Sequence, residues 1–301
     1  MNSYVIRTYQ PEDAEQIGKM DKTLQLLVLY HGDFQAENMF CAAAPDGRLL
    51  AAGLLMPSEW CSALVLEKDK NFVHYINFEL YFAENCRNAL LADDLLDCLI
   101  RRGREIKSCY PGKRMAMAQY MEADEPKRLN YYLGRGFYFY DSTAEFRFDL
   151  TRGIPEYSKP EGICIQKGKL CKPEEFIKYH AAEMESFEGI SWSMNQTRWM
   201  QGAPDLCNFC AYYEDEFVGN TSTWTISAEQ GVTENVFVVP KWQKNGVARY
   251  VITEALRYLK KQGKKIATLG TQGDNRKAIR LYHELGYELY HTRFRVGYEL
   301  D

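Results

Sequence analysis

Apolar residues recur at helical spacing at Val247, Val251, Ala255 and Leu259, joined by Ile252 and Leu256, while Arg249, Glu254, Arg257 and Lys260 fall on the other side. This spacing predicts an amphipathic helix that Gly263 stops. Just before it, Val236-Phe237-Val238-Val239 reads as a strand closed by Pro240, and Gln243 to Ala248 as a polar loop with Gly246 at the helix start. Lys265 to Thr271 is a second strand. Asp274-Asn275 then heads a second helix that turns Ala278, Leu281, Tyr282 and Leu285 inward and ends on Gly286-Tyr287. The order is strand, glycine-containing loop, helix, strand, helix.

The same phrasing occurs earlier in the chain. Tyr4 to Arg7 and Ile163-Cys164-Ile165 are strand-like, and each is followed by a proline-led acidic helix start, Pro11-Glu12-Asp13 and Pro173-Glu174-Glu175. Phe40-Cys41-Ala42 matches Phe209-Cys210-Ala211, and each opens a hairpin whose second strand carries a glycine, Gly53 or Gly219. Leu90 to Ile100 mirrors Gly246 to Leu256, Tyr132-x-x-x-Gly136-Phe137 mirrors Tyr282-x-x-x-Gly286-Tyr287, and Phe146-Arg147-Phe148 mirrors Phe294-Arg295-Val296. Echoes in one order imply a duplicated unit of about half the chain. The domains expected are 1–150 and 162–301, joined by a Gly/Pro/Ser-containing linker, 151–161. Hairpins mixed with helices predict a mixed α/β fold of α+β type in each half.

Composition narrows the function. At 301 residues with 46% hydrophobic side chains the chain can fill two cores. A net charge of −4 advertises neither nucleic acid nor an anionic membrane as partner. The start, Met1 to Arg7, lacks a signal-peptide apolar region, and the window Leu24 to Tyr30 is too short to span a bilayer. Nine cysteines without a framework read as reduced thiols, hence a cytoplasmic location. Cys207-x-x-Cys210 alone has metal-like spacing, no second pair follows, and the five histidines form no ligand pattern, so no metal is expected.

A loop that brings bare backbone to a helix N-terminus is an anion site, because the first amides are unpaired and the macrodipole is positive there. The glycine spacing is neither the three-glycine dinucleotide fingerprint nor a Walker loop. The pattern Gln-x-x-Gly-x-Ala (Gln243 to Ala248) after Val-x-Pro, followed by Asn-x-x-Ala-x-x-x-Tyr-x-x-x-Gly-Tyr (Asn275 to Tyr287), resembles the GNAT superfamily of acyl-CoA-dependent N-acyltransferases. The resemblance covers Gly162 to Asp301 fully and Met1 to Leu150 weakly. It implies two GNAT-like domains, each with a central, mostly antiparallel sheet flanked by helices.

Carried over residue by residue, the resemblance implies acetyl-CoA as cosubstrate. Val236, Phe237 and Val238 would pair with the pantetheine arm. The amides of Gln243, Lys244, Asn245, Gly246, Val247, Ala248 and Arg249 would hold the pyrophosphate, and Asn275 would orient the cofactor. Gln243 departs from the arginine common in the family, and Lys244 compensates. Tyr282 matches the general acid that protonates the leaving thiolate, and Glu234 the base that frees the amine. The amide of Val238 would face the oxyanion. In the first half, Arg87 aligns with Gln243, Leu90 with Gly246, Ala92 with Ala248, Glu125 with Asn275 and Arg128 with Ala278. A leucine at the Gly246 position marks a degenerate unit that has lost the cofactor.

The acceptor cleft is expected along Phe187 to Pro204, where Trp192, Met194, Trp199 and Met200 form either a wall for an apolar or aromatic amine or a peptide end, or packing against the N-terminal domain. The leading expectation is direct acetyl transfer, in a ternary complex, to a primary amine of a small molecule or peptide. The alternatives are a non-catalytic acyl-CoA-binding regulator and an aminoacyl-tRNA-dependent cell-wall transferase. Both a monomer and a homodimer stay open.

Overall fold

The computed structural model describes residues 4–301 apart from 33, 58–72, 85, 87, 188–191 and 193. The expectations for Met1 to Ser3, for Arg87 and for part of the acceptor segment therefore lie outside the described residues. The elements run β1 (Val5–Thr8), α1 (Ala14–Met20), α2 (Lys22–Tyr30), β2 (Met39–Ala43), β3 (Leu49–Pro57), β4 (Val73–Phe82), α3 (Ala89–Ser108), β5 (Arg114–Glu122), α4 (Pro126–Gly134) and β6 (Tyr138–Asp149). They continue with β7 (Ile163–Gly168), α5 (Pro173–Ser186), α6 (Met194–Met200), β8 (Cys207–Tyr213), β9 (Glu216–Thr225), β10 (Gln230–Val238), α7 (Val247–Lys261), β11 (Ile266–Gln272), α8 (Arg276–Leu285) and β12 (Glu288–Glu299). None of the helices among the described residues is long and apolar enough to cross a membrane.

The chain divides into two compact units, residues 1–140 with 295–301, and residues 141–294. This differs from a simple cut at 151–161: the last residues belong with the first unit, and residues 141–149 with the second. In the first unit β1 to β4 pair antiparallel in sequence order and β4 pairs parallel with β5. Its core joins Leu55, Ile76, Phe78, Leu96, Met117, Tyr132 and Phe137 to Val296 and Leu300 from the end of the chain. In the second unit β7, β8, β9 and β10 pair antiparallel, β10 pairs parallel with β11, and β11 pairs antiparallel with β6 from Ile266↔Asp149 to Gln272↔Thr143. A strand's alternation shows its buried face but not which partner it pairs with, so the sequence pattern alone does not assign these segments to a unit.

The helix starts follow the expected chemistry. Asp13 accepts from the backbone N–H of Gln10 at 2.9 Å, and Glu175 from that of Lys172 at 3.0 Å, so the two proline-led turns are closed in the same way. The buried faces of α3 and α7 also coincide position by position. Leu91, Leu95, Leu96, Leu99 and Ile100 correspond to Val247, Val251, Ile252, Ala255 and Leu256. Leu90 thus stands opposite Gly246, but inside the first turn of a helix that starts earlier. There the N-cap Asn88 side chain already accepts from the Leu90 amide at 3.1 Å. Cys207 and Cys210 face opposite sides of their sheet, one toward Ala255 and Tyr258 of α7 and the other toward Phe176 and Tyr179 of α5, so they cannot share a metal.

Candidate active site

The site of the second unit is a gap between two strands. β10 is paired with β11 only over Gln230 to Val232, although β10 continues to Val238 and β11 to Gln272. Beyond Thr233 the backbone of β10 therefore has β9 on one side and, among the described residues, no paired strand on the other. Two groups hold the root of the gap: the Thr233 hydroxyl lies 2.8 Å from that of Tyr287 and reaches the Thr268 carbonyl at 3.4 Å.

A β-bulge between Glu234 and Phe237 then reverses the alternation of β10. Asn235 takes the left-handed conformation (φ 48°). After it, Phe237 packs under α5 with Tyr179 and Phe217, while Val236 and Val238 join the core on the α7 side. The Val239 N–H donates to the Val218 carbonyl at 2.9 Å. Hydrogen-bonded and non-bonded pairs alternate between antiparallel strands, so the N–H and C=O of Val238 point away from β9, into the gap. Its carbonyl is taken there by the Gln243 side-chain N–H at 3.0 Å, and the amide remains directed at the space. Gln243 thus latches the loop to the strand end.

The loop delivers the helix end to the same place. Lys244 (φ 65°) and Gly246 (φ 81°) are both left-handed, and Gly246 is the N-cap of α7. A Cβ on Gly246 would meet nothing closer than Pro160 Cγ at 3.8 Å, so backbone conformation and not crowding favours glycine there. The amides that open α7 have no side-chain cap, in contrast to α3. Arg249 turns its guanidinium to Glu284 and to the ring of Tyr157, so its charge is already engaged. Asn275 caps α8, accepting from the Ala278 amide at 3.1 Å.

Two titratable groups carry the candidate chemistry. Tyr282 is 5% exposed, with its ring 5.9 Å from those of Phe146 and Tyr287. Its hydroxyl makes no hydrogen bond to a described residue, and burial pushes its pKa well up, so it stays protonated. Glu234 is half-buried, and its Oε2 accepts from Trp224 Nε1 at 2.8 Å. Burial raises its pKa, against the opposing pull of that hydrogen bond. In the acceptor segment, Phe187 lies 5.9 Å ring to ring from Phe237, and Met194 packs on the core under α5. Trp199 is 69% exposed, a position open to solvent.

The first unit shows what the sequence echoes missed. Asn77 and Val232 are the last residues of β4 and β10 paired to the parallel neighbour, so Glu79 stands where Glu234 does. Tyr132 corresponds to Tyr282, but Arg128 now reaches Glu79 at 3.7 Å and Glu125 at 3.1 Å, and Gln119 also bonds Glu79. Counting from the last paired residue of each parallel strand would have revealed Glu79. A motif comparison anchored on glycines could not.

Residues 174–287 match the Acetyltransferase (GNAT) family. The chain is 36% identical over 166 residues to a mycothiol acetyltransferase of Streptomyces scabiei (strain 87.22), a match covering 52% of this chain and 53% of that one. It is 39% identical over 57 residues to a mycothiol acetyltransferase of Nocardiopsis dassonvillei, covering 19% of this chain and 17% of that one. The chain thus spans about half the length of the first of these relatives and less of the second. Among solved structures, a GCN5-related N-acetyltransferase from Sphaerobacter thermophilus superposes with a TM-score of 0.68 at 16% identity, over 100% of this chain and 96% of that one. A tandem GNAT protein from the clavulanic acid biosynthesis pathway superposes with a TM-score of 0.65 at 12% identity, over 99% of both chains. These likenesses show the fold, two GNAT units in tandem.

Proposed function

Residues 174–287 belong to the acetyltransferase (GNAT) family, and from that premise we propose that the second unit transfers acetyl from acetyl-CoA to a primary amine of a small molecule or peptide. The observation that carries the reading is the convergence of the open side of β10 with the uncapped, glycine-led start of α7. An extended pantetheine arm would add to Val236–Val238 as a strand does, and the pyrophosphate would sit on the amides from Gln243 to Arg249. The relatives named mycothiol acetyltransferase support acetyl as the group moved. Transfer is direct, with the Glu234 carboxylate as base and the Tyr282 phenol as acid.

In this mechanism Glu234 takes a proton from the acceptor ammonium, directly or through water, with Trp224 fixing one of its oxygens. The amine lone pair forms the C–N bond at the thioester carbonyl carbon, and the Val238 amide faces the resulting oxyanion. As the C–S bond breaks, Tyr282 gives its proton to the sulfur, releasing CoA thiol and the N-acetyl product. Burial keeps the Tyr282 phenol protonated, so its proton is in place when the thiolate forms. The first unit, with Leu90 opposite Gly246 and Arg128 beside Glu79, does not turn over cofactor in this reading.

Isothermal titration of acetyl-CoA into wild type and Gly246→Leu tests the reading. One binding event per chain, lost in the variant, is expected. Two events would assign a working cofactor site to the first unit as well, and no binding by the wild type would remove the acyl-CoA reading.

A further inference from the structure

Beneath the bulge lies a buried polar cluster that the transfer chemistry does not use. Asn235 Nδ2 donates to Glu183 Oε1 at 2.5 Å and to the Tyr179 hydroxyl at 2.7 Å, both on α5. From β9, Asn220 Nδ2 donates to the Asn235 carbonyl at 3.0 Å. Glu183 and Tyr179 are each 1% exposed. A carboxylate in such a place is costly to ionise, and burial pushes Glu183 up to about 7 against the pull of the Asn235 hydrogen bond. Across the strand, a Cβ on Gly219 would come 2.8 Å from the Phe237 carbonyl, so the bulged backbone presses on a position that only glycine fills without a shift.

The first unit supplies the contrast. There β3 and β4 pair from Ala51↔Phe82 to Pro57↔Ile76 with no register shift, so β4 has no bulge along that span. Leu80 follows Glu79 where Asn235 follows Glu234. Counting from the matched helix starts Pro11 and Pro173, the apolar Ile17 stands in place of Tyr179, and Asp21 falls opposite Glu183 but caps α2 instead. The unit without the bulge lacks the cluster that would hold one.

We propose that Glu183 and Tyr179 are positioning residues: they clamp the Asn235 side chain so that its backbone stays left-handed, and this sets Val236–Val238 for the acyl donor and Glu234 for the amine. Asparagine suits the post because it tolerates the left-handed region better than other side chains and offers an amide to hold. Without the clamp an extended residue at 235 would restore strict alternation. That would turn Phe237 out of the α5 core and rotate the Val238 amide away from the gap.

This rests on the acyl-CoA reading, so the test has one arm that needs no ligand. In the unliganded protein, Glu183→Leu should speed amide hydrogen exchange at residues 236–238 relative to the rest of β10, and Glu183→Gln, which still offers an oxygen to Asn235, should not. In the second arm, Glu183→Leu should weaken acetyl-CoA binding about tenfold. Adding Asn235→Gly, which takes the left-handed conformation unaided, should recover it to within about threefold of wild type. A purely structural role for Glu183 would lower the melting temperature without this recovery, and that pattern overturns the proposal. So does unchanged exchange at 236–238 in folded Glu183→Leu. If Glu183→Leu fails to fold, Asn235→Val against Asn235→Gly decides it: only the valine should lose binding and protection, and equal behaviour overturns the proposal. A wild type that binds no acetyl-CoA sinks the acyl-CoA reading, and the exchange arm then judges the clamp by itself.

Discussion

The hydroxyl oxygens of Thr233 and Tyr287 lie 2.8 Å apart, both buried, at the point where β10 leaves β11. The tyrosine that closes the Gly-Tyr motif therefore has a task distinct from the one proposed for Tyr282: it ties the end of α8 to the root of the gap.

The two partners of this bond should respond unequally. Tyr287→Phe leaves Thr233 a second acceptor, the Thr268 carbonyl at 3.4 Å, and should cost about 1 kcal/mol. Thr233→Val strands the Tyr287 hydroxyl in the core and should cost about 2 kcal/mol. Equilibrium denaturation of the two variants measures the difference, and equal losses would count against the asymmetry.

Tyr282→Phe should leave stability nearly untouched, because the hydroxyl it removes bonds no described residue and the ring stays in place. Turnover with a competent amine should fall about 100-fold, with acetyl-CoA affinity little changed. Steady-state kinetics beside a cofactor titration separates the two quantities. A kcat equal to wild type would remove Tyr282 from the chemistry.

Glu234 must be ionised to accept a proton, and its burial raises its pKa. The acidic limb of kcat/KM should accordingly lie above the ordinary glutamate range, with activity lost as the pH falls through it. Glu234→Gln should abolish most of the activity and remove the limb from what is left. A limb unmoved in this variant would assign the base to another group.

Much of this site was legible in the sequence, and the reasons are local. The helix that begins after Gly246, the strand before it and the cap at Asn275 depend on spacing and on residues a few positions apart, which periodicity and capping chemistry report directly. What could not be read depends on tertiary placement. Nothing local announces that Asn235 is left-handed, since its conformation is held by Tyr179 and Glu183, more than fifty positions away along the chain. Glu79 was hidden for a related reason: the bulge in β10 and its absence from β4 put the two halves out of step beyond that residue. The side-chain bond from Gln243 to the Val238 carbonyl is likewise a contact that no periodicity reports.

Glu183 predicts an unusual stability profile. Its folded pKa, about 7, lies above the ordinary glutamate value of 4.5, so between these values the folded protein keeps a proton that the unfolded chain releases. Stability from this group is full below about pH 4.5, declines as the pH rises toward 7 and is constant above it. The loss amounts to about 3 kcal/mol at most. His180, whose Nδ1 lies 3.7 Å from Glu183 Oε2, acts in the opposite sense, because burial lowers its pKa and so adds stability as the pH rises toward the ordinary histidine value. The comparison with Glu183→Gln, which keeps His180, isolates the Glu183 contribution. Tyr179, Asn235 and the Trp192 backbone, which also face Glu183, carry no charge there. Urea denaturation across pH 4.5 to 7.5 should show a steeper decline for wild type than for Glu183→Gln, and parallel profiles would refute a raised Glu183.

The last prediction concerns where the second unit can be cut. β6 supplies the strand that covers β11, with seven matched residues from Thr143↔Gln272 to Asp149↔Ile266. Its inward side chains Phe146 and Phe148, 1% and 4% exposed, pack against Tyr282 and Tyr287. A fragment starting at Gly162 would contain every motif residue yet leave β11 as a bare edge and open the core around both tyrosines. An exposed edge of this kind invites pairing between chains, and losing two buried phenylalanines costs several kcal/mol on the scale of about 3–5 for each. Fragment 162–294 should therefore aggregate or fail to fold, and fragment 141–294 should show a cooperative thermal transition. Circular dichroism and gel filtration of the two fragments decide the matter. If 162–294 folds as well as 141–294, β6 is dispensable to the unit, and the packing of Phe146 on Tyr282 has no part in placing the hydroxyl.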